Sequence, residues 1–284
     1  MITAIWGLFV LLGIGVAVIL LNDLRKNRHH LETTSWSKVG FIGFVGNFFD
    51  VLGIGSFALE TAMLKFMKQS EDRLIPGTLN VGNAIPTVLQ GIIFIQIIEV
   101  EPWTLVFMIL ASGLGALLGA GIVSKLPERK IQLTMGVALL VTAAFMIASK
   151  LQWMEGGGDE IALHGPKLAL AVAVNFILGA LMTAGIGLYA PCMALVFALG
   201  LSPKVAFPIM MGSCAFLMPL ASLKFIKAGS YNRKAAMGFA IAGIVGVLIA
   251  AFLIKSLPID TLRWLVIAVV VYTSFVMLRA AAKK

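Results

Sequence analysis

The sequence predicts an all-α integral membrane protein, and three observations lead to that prediction. Of the 284 residues, 60% are hydrophobic and only 12% are charged, whereas soluble domains are nearer half apolar and a quarter charged. The mean hydropathy is +1.01. Apolar stretches of bilayer-spanning length follow one another with short connections. No stretch alternates apolar and polar residues strongly enough to predict a membrane β-barrel.

Each apolar segment is near or above the ~20 residues that a spanning helix needs. The first has no basic region before it and is expected to be a retained helix rather than a cleaved signal. We expect one transmembrane domain over residues 1–284, with an N-terminal helix at 1–22, a first repeat at about 38–151 and a second at about 167–281. The segments are residues 2–22, 39–67, 76–98, 103–123, 131–151, 168–200, 203–226, 235–254 and 262–281.

Two of these segments are interrupted by the same tripeptide. Gly53-Ile54-Gly55 recurs as Gly185-Ile186-Gly187, 132 positions later. Glycine weakens a helix, and each break frees backbone N–H and C=O groups that lipid cannot satisfy. Breaks at matching places in two halves of a membrane protein are typical of transport sites.

The distribution of Lys and Arg favours two segments that enter the membrane and return on the same side. If segments 39–67 and 168–200 do so, 17 of the 22 basic residues fall on one side. The positive-inside rule then predicts a cytoplasmic C-terminus and an N-terminus outside. The alternative, two kinked but fully spanning helices, gives only a weak bias. In the arrangement with two returning segments, the side opposite the cytoplasm carries only Lys150, Lys167, Lys204, Lys255 and Arg263.

Further matches extend the repeat. Pro76 and Pro208 are also 132 apart, each opening the helix after a break, and Leu126-Pro127 is followed by Leu257-Pro258 at an offset of 131. Each half therefore contains one re-entrant segment and three spanning helices, which turns the second copy upside down relative to the first. Two inverted-topology repeats with broken helices predict a site near the midplane, exposed alternately to the two sides.

The residues at the breaks are candidates for binding a small anion. Half-helix N-termini present free N–H groups and a positive dipole end, and Ser, Thr and Asn add donors without a fixed positive charge. Helix packing by the same small and polar residues is the alternative for each of them. The predicted substrate-binding residues are Asn47, Gly53, Gly55, Ser56, Thr78, Asn80, Asn83, Gly185, Gly187, Tyr189, Cys192, Gly212 and Ser213.

Asp50 and Glu60 are the only acids well inside an apolar segment, and we expect one of them to couple transport to a proton or cation. Asp50 alternatively serves only as a helix cap. Cys192 and Cys214 could face the transport path, and the alternative is that both pack as small buried hydrophobes. No cofactor and no metal site is expected, because no soft-ligand cluster forms around the methionines.

Four stretches resemble the TauE/SafE sulfite-exporter family, also called TSUP, and the resemblance runs from Lys38 to about Leu278. It implies a plasma-membrane carrier for sulfite, sulfonates or related small sulfur anions, with the Gly-Ile-Gly regions building the anion path. This sequence departs from the family pattern at Leu59-Glu60, where a Pro-containing run is usual, which leaves the substrate and the coupling ion open. The four stretches are residues 50–58, 76–80, 206–213 and 228–234.

We therefore expect a secondary carrier that exports a small sulfur oxyanion or organosulfonate, with proton coupling as an option. Uptake of another anion such as thiosulfate, or a channel, is the alternative. An intramembrane enzyme is disfavoured because the three histidines lie in loops and no HExxH or GxSxG motif occurs. The expected partners are the lipid bilayer and a small anion. Nucleic acid is not expected, since the basic residues lie in short connections, and a homo-oligomer is compatible with the sequence.

Overall fold

The computed structural model describes residues 2–29, 31–151, 153, 158–253 and 259–282. Across these residues it is all-helical, with no strand. Seven of the described helices are long and apolar enough to cross a membrane, which confirms the predicted all-α membrane class. The helices are α1 (Ile2–Lys26), α2 (Trp36–Val51), α3 (Phe57–Phe66), α4 (Ile75–Ile97), α5 (Pro102–Val123), α6 (Glu128–Lys150), α7 (Gly165–Met182), α8 (Tyr189–Ala198), α9 (Ala206–Ala228), α10 (Arg233–Leu253) and α11 (Ile259–Ala282).

The first half-helix is longer than the sequence predicts. We expected it to span 39–50, but α2 has 16 residues because its first turn begins at Trp36, outside the apolar stretch. The predicted Leu257-Pro258 turn lies outside the described residues, as do Lys255 and the two C-terminal lysines.

Both broken helices stop in the same way, with a glycine in the left-handed conformation. The φ angle is +76° at Gly53 and +98° at Gly185. In each case two backbone hydrogen bonds close a Schellman cap, which satisfies carbonyl groups that the end of the helix would otherwise leave unpaired. The bonds are Ile54 N to Phe49 O and Gly53 N to Asp50 O in the first half, and Ile186 N to Leu181 O and Gly185 N to Met182 O in the second.

Each broken helix folds back to the end at which it began. At the first, the Ser35 amide donates to the Gln69 side chain at 2.9 Å, and the Thr34 hydroxyl donates to the Gln69 carbonyl at 3.3 Å. At the second, the Ser202 amide donates to the Glu160 carbonyl at 2.8 Å. Both segments are therefore helical hairpins, and we call α2 with α3 the first hairpin and α7 with α8 the second hairpin. Among these four helices, α7 is one of the seven that are long and apolar enough to cross a membrane.

The packing of the helices has the same form in both halves. Helices α4 and α9 pack against each other at the centre, α2 lies along α10, and α7 lies along α5 in the corresponding way. A side chain at Gly115 would collide with the carbonyl of Phe176, and one at Gly246 would collide with the carbonyl of Phe44. The two contacts correspond at offsets of 131 and 132 residues. This correspondence supports the predicted repeat, while its inverted orientation in a membrane stays a prediction.

The connections gather at two opposite ends of the bundle. We call one the basic end, because it collects basic connections at residues 23–35, 65–75, 124–132 and 229–234. Arg233 pairs there with Asp23 at 2.7 Å, and Asn232 donates to Thr34 at 2.9 Å. Gln132 reaches Asp72 at 2.8 Å. At the other end, the Glu101 amide donates to the Ile161 carbonyl at 2.9 Å. The first hairpin opens at the basic end and the second hairpin at the other.

Candidate functional site

The tips of the two hairpins meet around one small cavity. Its volume is about 20 Å³, which is room for about one water molecule. In the described conformation the cavity is therefore too small for an oxyanion. It is lined by residues 54–58 and 187–190 together with Asp50, Thr142 and Met182.

Asp50 joins the two tips. Its Oδ1 accepts a hydrogen bond from the Ser56 backbone N–H at 2.6 Å, and its Oδ2 accepts one from the Tyr189 hydroxyl at 2.9 Å. The Tyr189 hydroxyl also lies 3.0 Å from Oε1 of Gln90. Asp50 is only 3% exposed. One carboxylate thus bridges the starts of α3 and α8.

The beginnings of both half-helices face this cavity. Residues 56–58 open α3 and residues 188–190 open α8. The first turn of a helix has N–H groups without intrahelical partners and carries partial positive charge, which favours an anion. Ser56 adds a buried hydroxyl with no hydrogen-bond partner. Two positive helix ends and one unpaired hydroxyl therefore converge on the same space.

Asn47, Glu60 and Asn83 form a second polar cluster, which does not line the cavity. The Asn83 amide donates to Glu60 Oε2 at 2.5 Å, and the Asn47 amide lies 2.7 Å from Asn83 Oδ1 and 3.4 Å from Glu60 Oε1. All three side chains are fully buried. Gly46 and Gly243 make room for it, since a Cβ at Gly243 would lie 2.6 Å from Asn47 Nδ2 and one at Gly46 would collide with the Glu60 carboxyl group.

Predicted residues of α4 lie closer to the basic end than to the cavity. Thr78 donates to the Leu74 carbonyl at 2.8 Å and accepts from the Asn232 amide at 2.9 Å. Asn80 donates to the Pro76 carbonyl at 2.8 Å. These hydrogen bonds tie α4 to its own first turn and to the connection before α10. The structure gives both residues a role in positioning α4, and ligand contact by them stays a prediction.

The remaining predicted residues of the second half pack behind its tip. Ser213 accepts a hydrogen bond from Asn175 at 3.0 Å, and a Cβ at Gly212 would lie 2.8 Å from Ile109. Cys192 is fully buried. The Cys214 thiol lies 3.6 Å from the sulfur of Met182, which itself lines the cavity. Cys214 thus approaches the cavity through a methionine that lines it.

Gly53 and Gly185 shape the backbone without lining the cavity, whereas Gly55 and Gly187 line it. The predicted residues that the structure brings together at the cavity are therefore Asp50, Gly55, Ser56, Gly187 and Tyr189.

Sequence reasoning missed Gln90, Thr142 and Met182. Gln90 had a usable signal, because it is a polar amide in the middle of the apolar segment 76–98. Thr142 and Met182 had none, since both are ordinary residues of spanning helices. They reach the cavity only through the way α6 and α7 pack against the tips.

Half-helices that begin at a shared cavity inside a bundle of spanning helices define a membrane protein of the transporter class. The family model for the sulfite exporter TauE/SafE matches residues 2–146, about half of the chain. The chain belongs to this family, whose members are membrane transporters for sulfur-containing anions. The matched region includes the first hairpin and ends before the second. No curated protein and no solved structure matches the chain.

Proposed function

We propose that this protein is a secondary carrier that exports sulfite or an organosulfonate across the plasma membrane. The observation that carries the proposal is the small cavity that the N-terminal ends of α3 and α8 both face. A sulfur oxyanion presents several oxygens in different directions. Donors from two helix ends therefore suit it better than donors from one.

The donors at this cavity favour release as well as binding. They are backbone N–H groups, the Ser56 hydroxyl and the Tyr189 hydroxyl, and no Lys or Arg lines the cavity. A fixed positive charge in a low-dielectric site would hold a small anion far more tightly than neutral donors do. A carrier must let its ligand leave on the other side, so neutral donors match the task. We propose Gly55, Ser56, Gly187 and Tyr189 as the residues nearest the anion.

The arrangement of the two hairpins supports alternating access. The first hairpin returns to the basic end and the second to the opposite end, and their tips meet at the cavity. A cavity of about 20 Å³ must widen before an oxyanion fits. We propose that separating one hairpin tip from its surroundings opens the cavity to one side at a time.

Proton coupling is part of the proposal. Asp50 lines the cavity. Glu60 lies in the second polar cluster and belongs to α3, the helix whose start faces the cavity. Buried carboxylates in a membrane are costly and are usually functional. A proton on either group would reduce the repulsion between the anion and the first hairpin.

The orientation of the protein follows from its charges. The basic end carries the connections rich in Lys and Arg, and the positive-inside rule places such an end in the cytoplasm. We propose that the C-terminus is cytoplasmic and that α1 begins outside. Cysteine-accessibility labelling in residues 68–74 and 201–204 tests this, because labelling of both from one side would contradict it.

Flux measurements on the purified protein in liposomes test the function. We expect saturable movement and counterflow of sulfite or sulfoacetate, with thiosulfate and sulfate as competing anions and with a pH gradient applied in either direction. Ala190→Trp should abolish the flux, because Ala190 lines the cavity. Gly121→Trp is the control, since a side chain at Gly121 meets nothing within 4 Å. Failure to move any of the sulfur anions would refute the proposal, and flux without saturation or counterflow would indicate a channel.

A further inference from the structure

The donors that face the cavity are already occupied by a carboxylate of the protein itself. The Ser56 backbone N–H and the Tyr189 hydroxyl both point at Asp50, at 2.6 Å and 2.9 Å. The two donors belong to the starts of two different half-helices, α3 and α8. A carboxylate held by two such donors has the contacts that a bound oxyanion would need.

An anion in this cavity would therefore compete with Asp50 in two ways. It would need the donors that Asp50 holds, and it would lie close to a negative carboxylate in surroundings of low dielectric constant. No Lys or Arg in the described part of the chain forms an ion pair with Asp50 to offset that repulsion. Simultaneous binding of an anion and retention of an ionised Asp50 is thus strongly disfavoured.

We propose that Asp50 is a tethered competitor for the anion site, and that a proton taken up by its carboxyl group releases the Ser56 and Tyr189 donors to the substrate. Each anion then binds together with one proton. This inference rests on the proposed function and specifies how its coupling works. It assigns the coupling proton to Asp50 rather than to Glu60, whose carboxyl group is held by Asn83 outside the cavity.

Few other titratable groups face Asp50. Tyr189 on α8 contacts it directly, and the side chains that approach it from α4 and α6, Gln90 and Thr142, do not titrate. Asp50 acts electrostatically on Glu60 on α3 and on Cys214 on α9, and Tyr189 is affected by Cys214 and by Cys192 on α8. Any proton count must therefore separate Asp50 from Glu60.

Calorimetry of anion binding provides that count. The heat of binding of methanesulfonate and of thiosulfate to the full chain in detergent is measured in buffers of different ionisation enthalpy between pH 6 and pH 8. Neither probe takes up a proton itself in this range, unlike sulfite. We expect about one proton taken up per anion and an affinity that falls up to about tenfold per pH unit as Asp50 ionises. In Asp50→Asn, we expect no proton uptake and an affinity independent of pH.

Three variants keep the test decisive. Glu60→Gln and Glu101→Gln are the carboxylate controls and should retain the proton uptake of the natural chain. Tyr189→Phe should weaken anion binding and still take up a proton, which gives a second measurement if Asp50→Asn does not fold.

The outcomes separate the two proposals. Binding without proton uptake, uptake that persists in Asp50→Asn, or uptake lost in Glu60→Gln alone would overturn the role of Asp50 and leave the carrier proposal standing. If the natural chain binds neither probe and moves no sulfur anion in liposomes, both proposals fail.

Discussion

The two hairpins have the same helix cap and the same length of second helix, but they differ in chemistry. Both end their first helix in a Schellman cap at a left-handed glycine, and both begin a second helix of ten residues at the cavity. At equivalent positions, however, the first hairpin has polar or charged groups where the second has Met, Leu and Cys. The pairs, 132 residues apart, are Asp50 with Met182, Ser56 with Leu188 and Glu60 with Cys192.

This difference separates the residues that shape a tip from the residues that give it charge. The shape of the tip depends on backbone hydrogen bonds and on glycine, so it is kept in both halves. A carboxylate at the cavity is present in the first hairpin alone, and it contacts both tips. Tyr189 provides the single polar contact from the second tip to Asp50, at 2.9 Å. The second hairpin thus supplies a donor and the first supplies the charge.

The largest expected contrast concerns the second polar cluster, formed by Asn47, Glu60 and Asn83. Glu60→Ala leaves one N–H of the buried Asn83 amide without an acceptor, which costs about 1–3 kcal/mol, and the loss of the buried side chain leaves a cavity that adds to this cost. We expect the free energy of unfolding to fall by about 3 kcal/mol or more. Cys192→Ala, at the equivalent place, should cost only about 1 kcal/mol. Denaturation in detergent followed by circular dichroism measures both, and equal losses would show that the cluster does not stabilise the first hairpin.

The next contrast concerns the hydroxyl at the second tip. Tyr189→Phe removes the donor to Asp50, which should cost about 1.5–3 kcal/mol of stability and, under the proposed function, about tenfold in anion affinity. Tyr231→Phe is the matched control at the basic end. Its hydroxyl donates to Asp23 at 2.6 Å, and burial together with this hydrogen bond raises the pKa of Tyr231. The control should lose similar stability and keep its anion affinity, as titration of both variants would show.

A smaller contrast concerns the second glycine of each break. Gly55 has a φ of +91°, whereas Gly187 does not adopt a positive φ. Alanine at the first position should cost about 1–2 kcal/mol of stability because an L-residue is strained there. Alanine at Gly187 should cost under about 0.5 kcal/mol, since only Thr142 comes as near as 4.0 Å. Thermal unfolding of the two variants compares them, and an equal shift would mean that the two tips are more alike than their backbones indicate.

The smallest contrast lies where each hairpin ends. Lys68 has a φ of 52° and its counterpart Gly200 has a φ of 89°. We expect Lys68→Gly to raise the free energy of unfolding by less than about 1 kcal/mol, because relief of the strained conformation outweighs the added chain entropy of glycine. Gly200→Ala should lower it by about 1 kcal/mol. A scan of thermal unfolding should show shifts of about 2–4 °C in opposite directions, and shifts of the same sign would contradict this account.

The positions of both breaks could be predicted because their signal is local. Gly-Ile-Gly interrupts an apolar stretch in each half, and the charges of the connections indicate which segments return. The composition of the site could be predicted only in part. Gly55, Ser56, Gly187 and Tyr189 are next to the breaks in sequence and line the cavity. Proximity in sequence sufficed for these residues because each half-helix begins at its break.

Residues farther from the breaks depended on packing. Asn47 and Asn83 are separated from the cavity because glycines at 46 and 243 let the cluster close around Glu60. Thr142 reaches the cavity because of the rotation of α6 about its own axis. Apolar periodicity does not report that rotation in a helix that is apolar on all sides. Pairing between the halves is likewise tertiary, so the Asp50–Tyr189 contact had no signal in the sequence.

The second hairpin has Met182 at the position equivalent to Asp50, and this difference has an electrical consequence under the proposed coupling. With one carboxylate at the cavity, a dianion such as thiosulfate would move with one proton and carry one net negative charge. A sulfonate monoanion would move with one proton and carry none. A potential of 100 mV, negative inside, contributes about 2.3 kcal/mol per charge, so export of the dianion would be voltage-driven and export of the sulfonate would be indifferent to voltage. Liposomes clamped with a potassium gradient and valinomycin distinguish the two, and a voltage response by both anions would argue against a single coupling proton.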